Sequence, residues 1–198
     1  YCNFYSAPAT PEQMAAYTEA VCRNLRHYTS NTVADTLYFG GGTPSLLAPE
    51  QLEQILACAA ACFSIPPDAE ITLEANPATL TPENLRRLRA AGVNRLSLGV
   101  QSLSDAQLRR LGRMHTAQEA LDTVEAAAGA GFRNISCDVM LALPKQTPTE
   151  LSETLEQMAQ LPIQHISAYL LKIDSGTPFA RQHAEQECPD EDTAADLY

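Results

Sequence analysis

The chain has 198 residues, 45% hydrophobic and 19% charged, which is enough apolar material for one globular domain with a sizeable core. A net charge of −11 argues against nucleic acid as a partner, because phosphate binding needs clustered Lys and Arg. No run of 18 apolar residues is present to span a membrane, no secretory signal is visible, and the six widely scattered cysteines fit a reducing cytoplasm better than a disulfide framework.

The chain opens on Tyr1 rather than Met, which predicts a segment upstream. Thr10 caps a helix with Pro11 at its first position, and that helix is expected to run to about His27. An apolar run at 35–39 reads as a buried strand and feeds the loop Gly40-Gly41-Gly42-Thr43-Pro44-Ser45. Three consecutive glycines exceed what a plain strand-to-helix turn requires, and they let a ligand approach the main chain. A helix follows from Pro49 to about Phe63, with Cys58 and Cys62 on one face as small core-facing residues. A strand is expected over 70–75, and Thr81-Pro82 starts a helix that Gly92 stops.

The next strand covers 94–99. Ser104 with Gln107 predicts a capping box for a short helix, and Thr116 with Glu119 predicts another for a helix ending near Gly129. A strand at 134–141, a helix from Thr147-Pro148 to about Gln160, and a strand at 164–173 complete the pattern, before a helix start at Pro189-Asp190. Repeated βα units with short connections imply a parallel sheet covered by helices. The first strand lacks a G-x-G-x-x-G turn, which disfavours a doubly wound sheet. The expectation is an α/β fold, an open or partial (β/α) barrel with parallel strands and outer helices, and with one further strand ahead of Tyr1.

In such folds ligands gather at the C-terminal ends of the strands. Glu74, Gln101 and Asp138 fall there after three successive strands, and the glycine loop follows another. A carboxylate in an apolar strand is costly unless paired, so each is either a structural partner of an Arg or part of a ligand site. Their convergence favours the site. Arg113, between two helices, is either a solvated surface residue or a fork for a ligand carboxylate. His115 and His165 read as structural and His27 and His183 as surface residues. No Ser-His-Asp or Cys-His set stands out.

Tyr1-Cys2-Asn3-Phe4-Tyr5-Ser6, Gly40-Gly41-Gly42-Thr43-Pro44-Ser45, Glu74-Ala75-Asn76-Pro77, Gly99-Val100-Gln101-Ser102 and Arg113-Met114-His115 occur in this order. Together they resemble radical S-adenosylmethionine (SAM) proteins of the oxygen-independent coproporphyrinogen III oxidase group. The resemblance implies a [4Fe–4S] cluster held by a C-x-x-x-C-x-x-C loop, of which Cys2 is similar to the third cysteine. It implies that residues 1–198 are a radical SAM core domain, truncated at both ends, without the first strand, two cluster cysteines and the C-terminal domain. It also implies that Gly41, Gly42 and Thr43 meet the methionine part of SAM and that Glu74 accepts from the SAM amino group or ribose. By the same likeness Gln101 and Asp138 bind ribose hydroxyls, Arg113 pairs with the SAM carboxylate, and Tyr1 lies against the adenosyl group.

Within that group, the oxidases carry another Cys two places after the third, whereas this chain has Phe4. In this respect it resembles the heme chaperone branch, which binds heme as cargo and hands it to an acceptor protein. The alternative is an oxidase that turns propionate side chains into vinyl groups through a 5′-deoxyadenosyl radical. Neither the acceptor nor the electron donor can be read from the residues.

Overall fold

The computed structural model of the chain describes residues 1–3, 7–28 and 32–198. The argument from Phe4 therefore lies outside the described residues. Helix α1 (Pro11–His27) begins on Thr10, whose hydroxyl accepts from the Gln13 amide while the Gln13 side chain accepts from the Thr10 amide. Strand β1 (Thr36–Phe39) leads through the glycine loop and a 3₁₀ turn (Pro44–Leu46) into α2 (Pro49–Cys62). Then come β2 (Glu70–Ala75), α3 (Pro82–Ala90), β3 (Arg95–Gln101), α4 (Asp105–Arg110), α5 (Ala117–Gly129) and β4 (Asn134–Leu141). The chain continues through α6 (Pro148–Met158), β5 (His165–Leu170), α7 (Pro178–Arg181) and α8 (Glu191–Leu197).

Among the described residues five strands, all parallel, lie in the order β1-β2-β3-β4-β5. That order never reverses, as it would in a doubly wound sheet. With right-handed crossovers, an unreversed order places the connecting helices on one face. The result is the partial (β/α) barrel expected from the residue pattern, with β1 and β5 as its two edges.

Strand residues alternate between faces, and here the alternation separates two chemistries. Leu73, Ala75, Leu96, Leu98, Val100, Ile135, Cys137, Val139 and Leu141 are buried against the helices, with Leu37, Phe39 and Ile71 packed beside them. The other face carries Tyr38, Thr72, Glu74, Ser97, Ser136, Asp138 and Ser167, which the register aligns across neighbouring strands, and Gly99 follows where the β3–β4 register shifts. A smaller cluster of Cys22, Ile55, Cys58 and Cys62 seals α1 onto α2, so the Cys58 and Cys62 thiols are core residues.

Four local expectations change. Strand β1, expected to be buried, has Thr36 and Tyr38 exposed and Leu37 and Phe39 half-buried, because it pairs with β2 alone. Strand β3 runs on to Gln101, and β5 stops at Leu170 rather than reaching 173. The Ser104–Gln107 capping box forms only half. Ser104 Oγ accepts from the Gln107 amide, but the Gln107 side chain donates to Pro144 O at 3.3 Å and Glu150 Oε2 at 3.2 Å. The Thr116–Glu119 box on α5 is complete.

Candidate functional site

The C-terminal ends of β1 and β2 form the first half of the site. Tyr38 and Glu74 project from the polar face, and the Tyr38 hydroxyl donates to Glu74 Oε1 at 2.7 Å. The Gly41 amide donates to Glu74 Oε2 at 3.1 Å, so the carboxylate ties the glycine loop to the sheet. Gly41 has φ +117°, a conformation that side chains avoid, and no atom stands within 4 Å of where its Cβ would be. A Cβ on Gly40 would lie 2.6 Å from Tyr38 Cε1 and 3.0 Å from Glu74 Oε1. Gly40 thus serves the chain's own packing, and Gly41 leaves open space above the backbone. Gly42 is exposed and Thr43 half-buried at the head of the 3₁₀ turn, where Thr43 makes no capping bond. Ser45 Oγ meets Thr79 Oγ1 at 2.6 Å and accepts from the Asn76 amide, locking this loop to the one after β2.

The second half gathers at β3. The ladder shifts register between Leu98 and Gln101, and Gln101 takes φ +72° at the strand's last position. Its side chain is buried with Oε1 unpartnered. A Cβ on Gly99 would stand 3.1 Å from Gln101 Nε2 and 3.4 Å from Arg113 Nη2, so this glycine is the gap across which those two side chains approach. Arg113 Nη2 donates to the Tyr1 hydroxyl at 2.8 Å, and its guanidinium lies 5.6 Å from the centre of the Tyr1 ring. Arg113 Nε is buried and unpartnered. Tyr1 rests on Phe179 of α7, with ring centres 6.2 Å apart, and burial pushes its phenol above the ordinary value. Behind Gln101, the buried His115 ring sits between Asn76 Oδ1 (3.1 Å) and Val100 O (3.2 Å).

Asp138 links the two halves electrostatically. It lies on the polar face of β4 opposite Ser167. Burial is the main reason its carboxyl is pushed up to about 6; a hydrogen bond from Ser167 opposes this, the Glu74 carboxylate adds to it, and Arg113 and His165 oppose it. Tyr38, whose hydroxyl is pushed up to about 12 by burial and by Glu74, also feels Asp138. Tyr1, Glu74, Gln101, Arg113 and Asp138 therefore face one rim with the Gly41 loop, while Gly42 and Thr43 complete that loop without a side-chain bond to the others.

Tyr38, Gly99 and Ser167 are site neighbours that the residue pattern did not single out. The alternation within Thr36–Phe39 carried a signal for Tyr38, since it sets Tyr38 opposite in direction to the apolar Leu37 and Phe39.

A polar rim with a glycine loop on a parallel, unreversed β/α sheet defines a partial-barrel protein that binds a small polar ligand at its strand ends. The Radical SAM superfamily matches over residues 1–158, and the chain belongs to that family. A relative called heme chaperone HemW from Lactococcus lactis is 36% identical over 200 residues, all of this chain and 52% of its own length. Mouse radical S-adenosyl methionine domain-containing protein 1, mitochondrial, is 38% identical over all of this chain and 46% of its own. Among solved structures, coproporphyrinogen III oxidase (HemN) from Escherichia coli superposes with a TM-score of 0.89 at 27% identity, covering 99% of this chain and 46% of that one. The chain spans about half the length of the curated relatives it matches.

The cofactors of that family are SAM and a [4Fe–4S] cluster. The rim fits SAM: two buried polar atoms, Gln101 Oε1 and Arg113 Nε, have no partner in the chain, and open space stands over Gly41. For the cluster, Cys2 is exposed beside Tyr1 and fits one thiolate position. Cys22, Cys58 and Cys62 are buried between helices, Cys137 lies on the helix-covered face of β4, and the Cys188 thiol donates to Ala184 O. Among the described residues no group of three Cys, His, Asp or Glu side chains is arranged to hold a metal ion.

Proposed function

We propose that this chain is the SAM-binding half-barrel of a heme chaperone, a protein that carries heme as cargo and passes it to an acceptor protein. Supporting that reading is the likeness to curated relatives called heme chaperone HemW, with identities of 36% for both the Lactococcus lactis and Escherichia coli proteins along the whole chain. In this reading Gly41, Gly42 and Thr43 meet the methionine portion of SAM, Glu74 accepts from its ammonium or ribose, and Arg113 forks its carboxylate. Gln101 and Asp138 take ribose hydroxyls, filling the vacant Gln101 Oε1, and Tyr1 stacks near the adenosyl group. Cys2 contributes one thiolate to the cluster.

Cys2 would hold one iron of the cluster, which when bound would supply one-electron reducing power at this rim. The chain's own part is to bind, orient and shield. Arg113, already held against the Tyr1 ring, needs little reorganisation to meet a carboxylate, and the glycine loop, tied to Glu74 by the Gly41 amide, gives the ligand main-chain contact without a side chain in the way. No helix among the described residues is long and apolar enough to cross a membrane, and no disulfide joins their cysteines. The wide scatter of the six cysteines along the sequence supports placing the protein in the cytoplasm.

A second reading, an oxygen-independent coproporphyrinogen III oxidase, draws on the superposition with the Escherichia coli oxidase. The two separate in one experiment. The complete protein, its cluster rebuilt without oxygen, is given SAM, a reductant and coproporphyrinogen III, and in parallel is titrated with heme. The expected result is a Soret band from stoichiometric heme and no protoporphyrinogen. Product at catalytic turnover would instead make it an oxidase.

A further inference from the structure

Glu74 is assigned to SAM in the reading above, yet both of its oxygens are already engaged by this chain. The Tyr38 hydroxyl donates to Oε1 at 2.7 Å and the Gly41 amide to Oε2 at 3.1 Å. A carboxylate offers about four acceptor positions, so two are spent and two remain. Tyr38 is 61% exposed, and by burial alone it would count as an ordinary surface tyrosine. Its geometry says otherwise. Gly40 sits so close beneath it that a Cβ there would strike both the Tyr38 ring and Glu74. Tyr38, Gly40, Gly41 and Glu74 therefore pack as a single unit at the end of β1 and β2.

We infer that Tyr38 is a positioning residue for SAM: its hydroxyl fixes the Glu74 carboxylate in the orientation that holds the glycine loop by the Gly41 amide and leaves the remaining acceptor positions to the ligand's ammonium. The inference rests on the placement of SAM at this rim and not on the fate of heme. A glutamate side chain half open to water would otherwise sample several rotamers and lose that freedom on binding. The Tyr38 bond removes the freedom in advance. Most of the Tyr38 ring is exposed, but desolvation at its hydroxyl end and the neighbouring carboxylates keep the phenol protonated at neutral pH, so Tyr38 is the donor and Glu74 the acceptor. Tyr38 itself has no part in binding the ligand; its effect passes through Glu74.

The test is SAM affinity by calorimetry, using the complete protein with its cluster rebuilt, for Tyr38→Phe, Glu74→Gln and the double variant. Without the Tyr38 bond the Glu74 side chain must be ordered on binding, which weakens affinity by about three- to tenfold, and that is the expectation for Tyr38→Phe. Because Tyr38 acts through Glu74, the double variant should bind no worse than Glu74→Gln alone. Additive losses would mean that Tyr38 touches the ligand directly and would overturn the inference. So would wild-type affinity in Tyr38→Phe beside a weakened Glu74→Gln. Unchanged affinity in both single variants would remove SAM from this rim and take the inference with it. In the ligand-free protein, exchange of the Gly41 amide should quicken in Tyr38→Phe, and an unchanged rate would also count against the role.

Discussion

Asp138 is a carboxyl placed where it is costly to ionise. It stands on the polar face of β4 with Ser167 opposite, and burial carries it from 3.8 to about 6. Above pH 6 the group is charged in both folded and unfolded chains, and burial penalises the folded one. Below pH 3.8 it is protonated in both, and the penalty vanishes. Relative to Asp138→Asn, the protein should therefore gain stability as pH falls through this window, by up to about 3 kcal/mol at 1.36 kcal/mol per pKa unit. His115 works in the opposite sense, since burial holds its pKa below 6.5 and its contribution is lost as pH falls. Urea midpoints of the protein and of Asp138→Asn, taken side by side from pH 4 to 7.5, isolate the Asp138 part because His115 is common to both. A difference that does not change with pH would show that Asp138 is well solvated. Ribose hydroxyls donate to the ionised form, so SAM affinity should decline below pH 6 in the protein and stay flatter in Asp138→Asn.

At the level of elements, local chemistry and tertiary contact compete, and α4 shows which wins. Ser104 caps the helix as its type predicts, but Gln107 turns away from the cap and joins α4 to the loop before α6 through Pro144 O and to α6 itself through Glu150 Oε2. Gln107→Ala removes one buried and one part-buried bond between elements and should cost about 1–2 kcal/mol, read as a lower urea midpoint with an unchanged slope. A loss of only a few tenths would mean that the half-formed cap is all the residue provides. The same competition explains what the residue pattern could and could not reveal. Caps, Pro at first turns and alternating apolar runs are local, and they placed the ends of α1, β2 and β4. Glu74, Gln101, Asp138 and Arg113 were visible as polar residues at strand ends or in loops. Tyr38, Gly99 and the turn of Gln107 were not, because their roles depend on which strand lies beside them. The register shift that gives Gln101 its positive φ is likewise a property of the β3–β4 pair and not of β3.

The molecule as a whole is a sheet with two unlike faces, and that division explains how one small domain supports both a core and an open site. Apolar residues of β2, β3 and β4 fill one face beneath the helices, and the polar residues between them line the other. Neighbouring positions in β3 make the contrast testable. Leu98 is fully buried among the helices, opposite Cys137 in register, whereas Ser97 is half-buried on the ligand-facing side. Leu98→Ala should cost about 3–5 kcal/mol, since the removed methyls leave a cavity that packed helices close only in part. Ser97→Ala should stay within about 0.5 kcal/mol, because Ser97 is only half-buried and its small hydroxyl fills little space. Both follow from chemical unfolding of the same protein under one condition. Equal, large losses at the two positions would mean that the polar face is itself a packed interior, leaving no room at the strand ends for a ligand the size of SAM. A large loss at Leu98 alone would leave that face open, with the rim free to close on SAM without disturbing the core behind it.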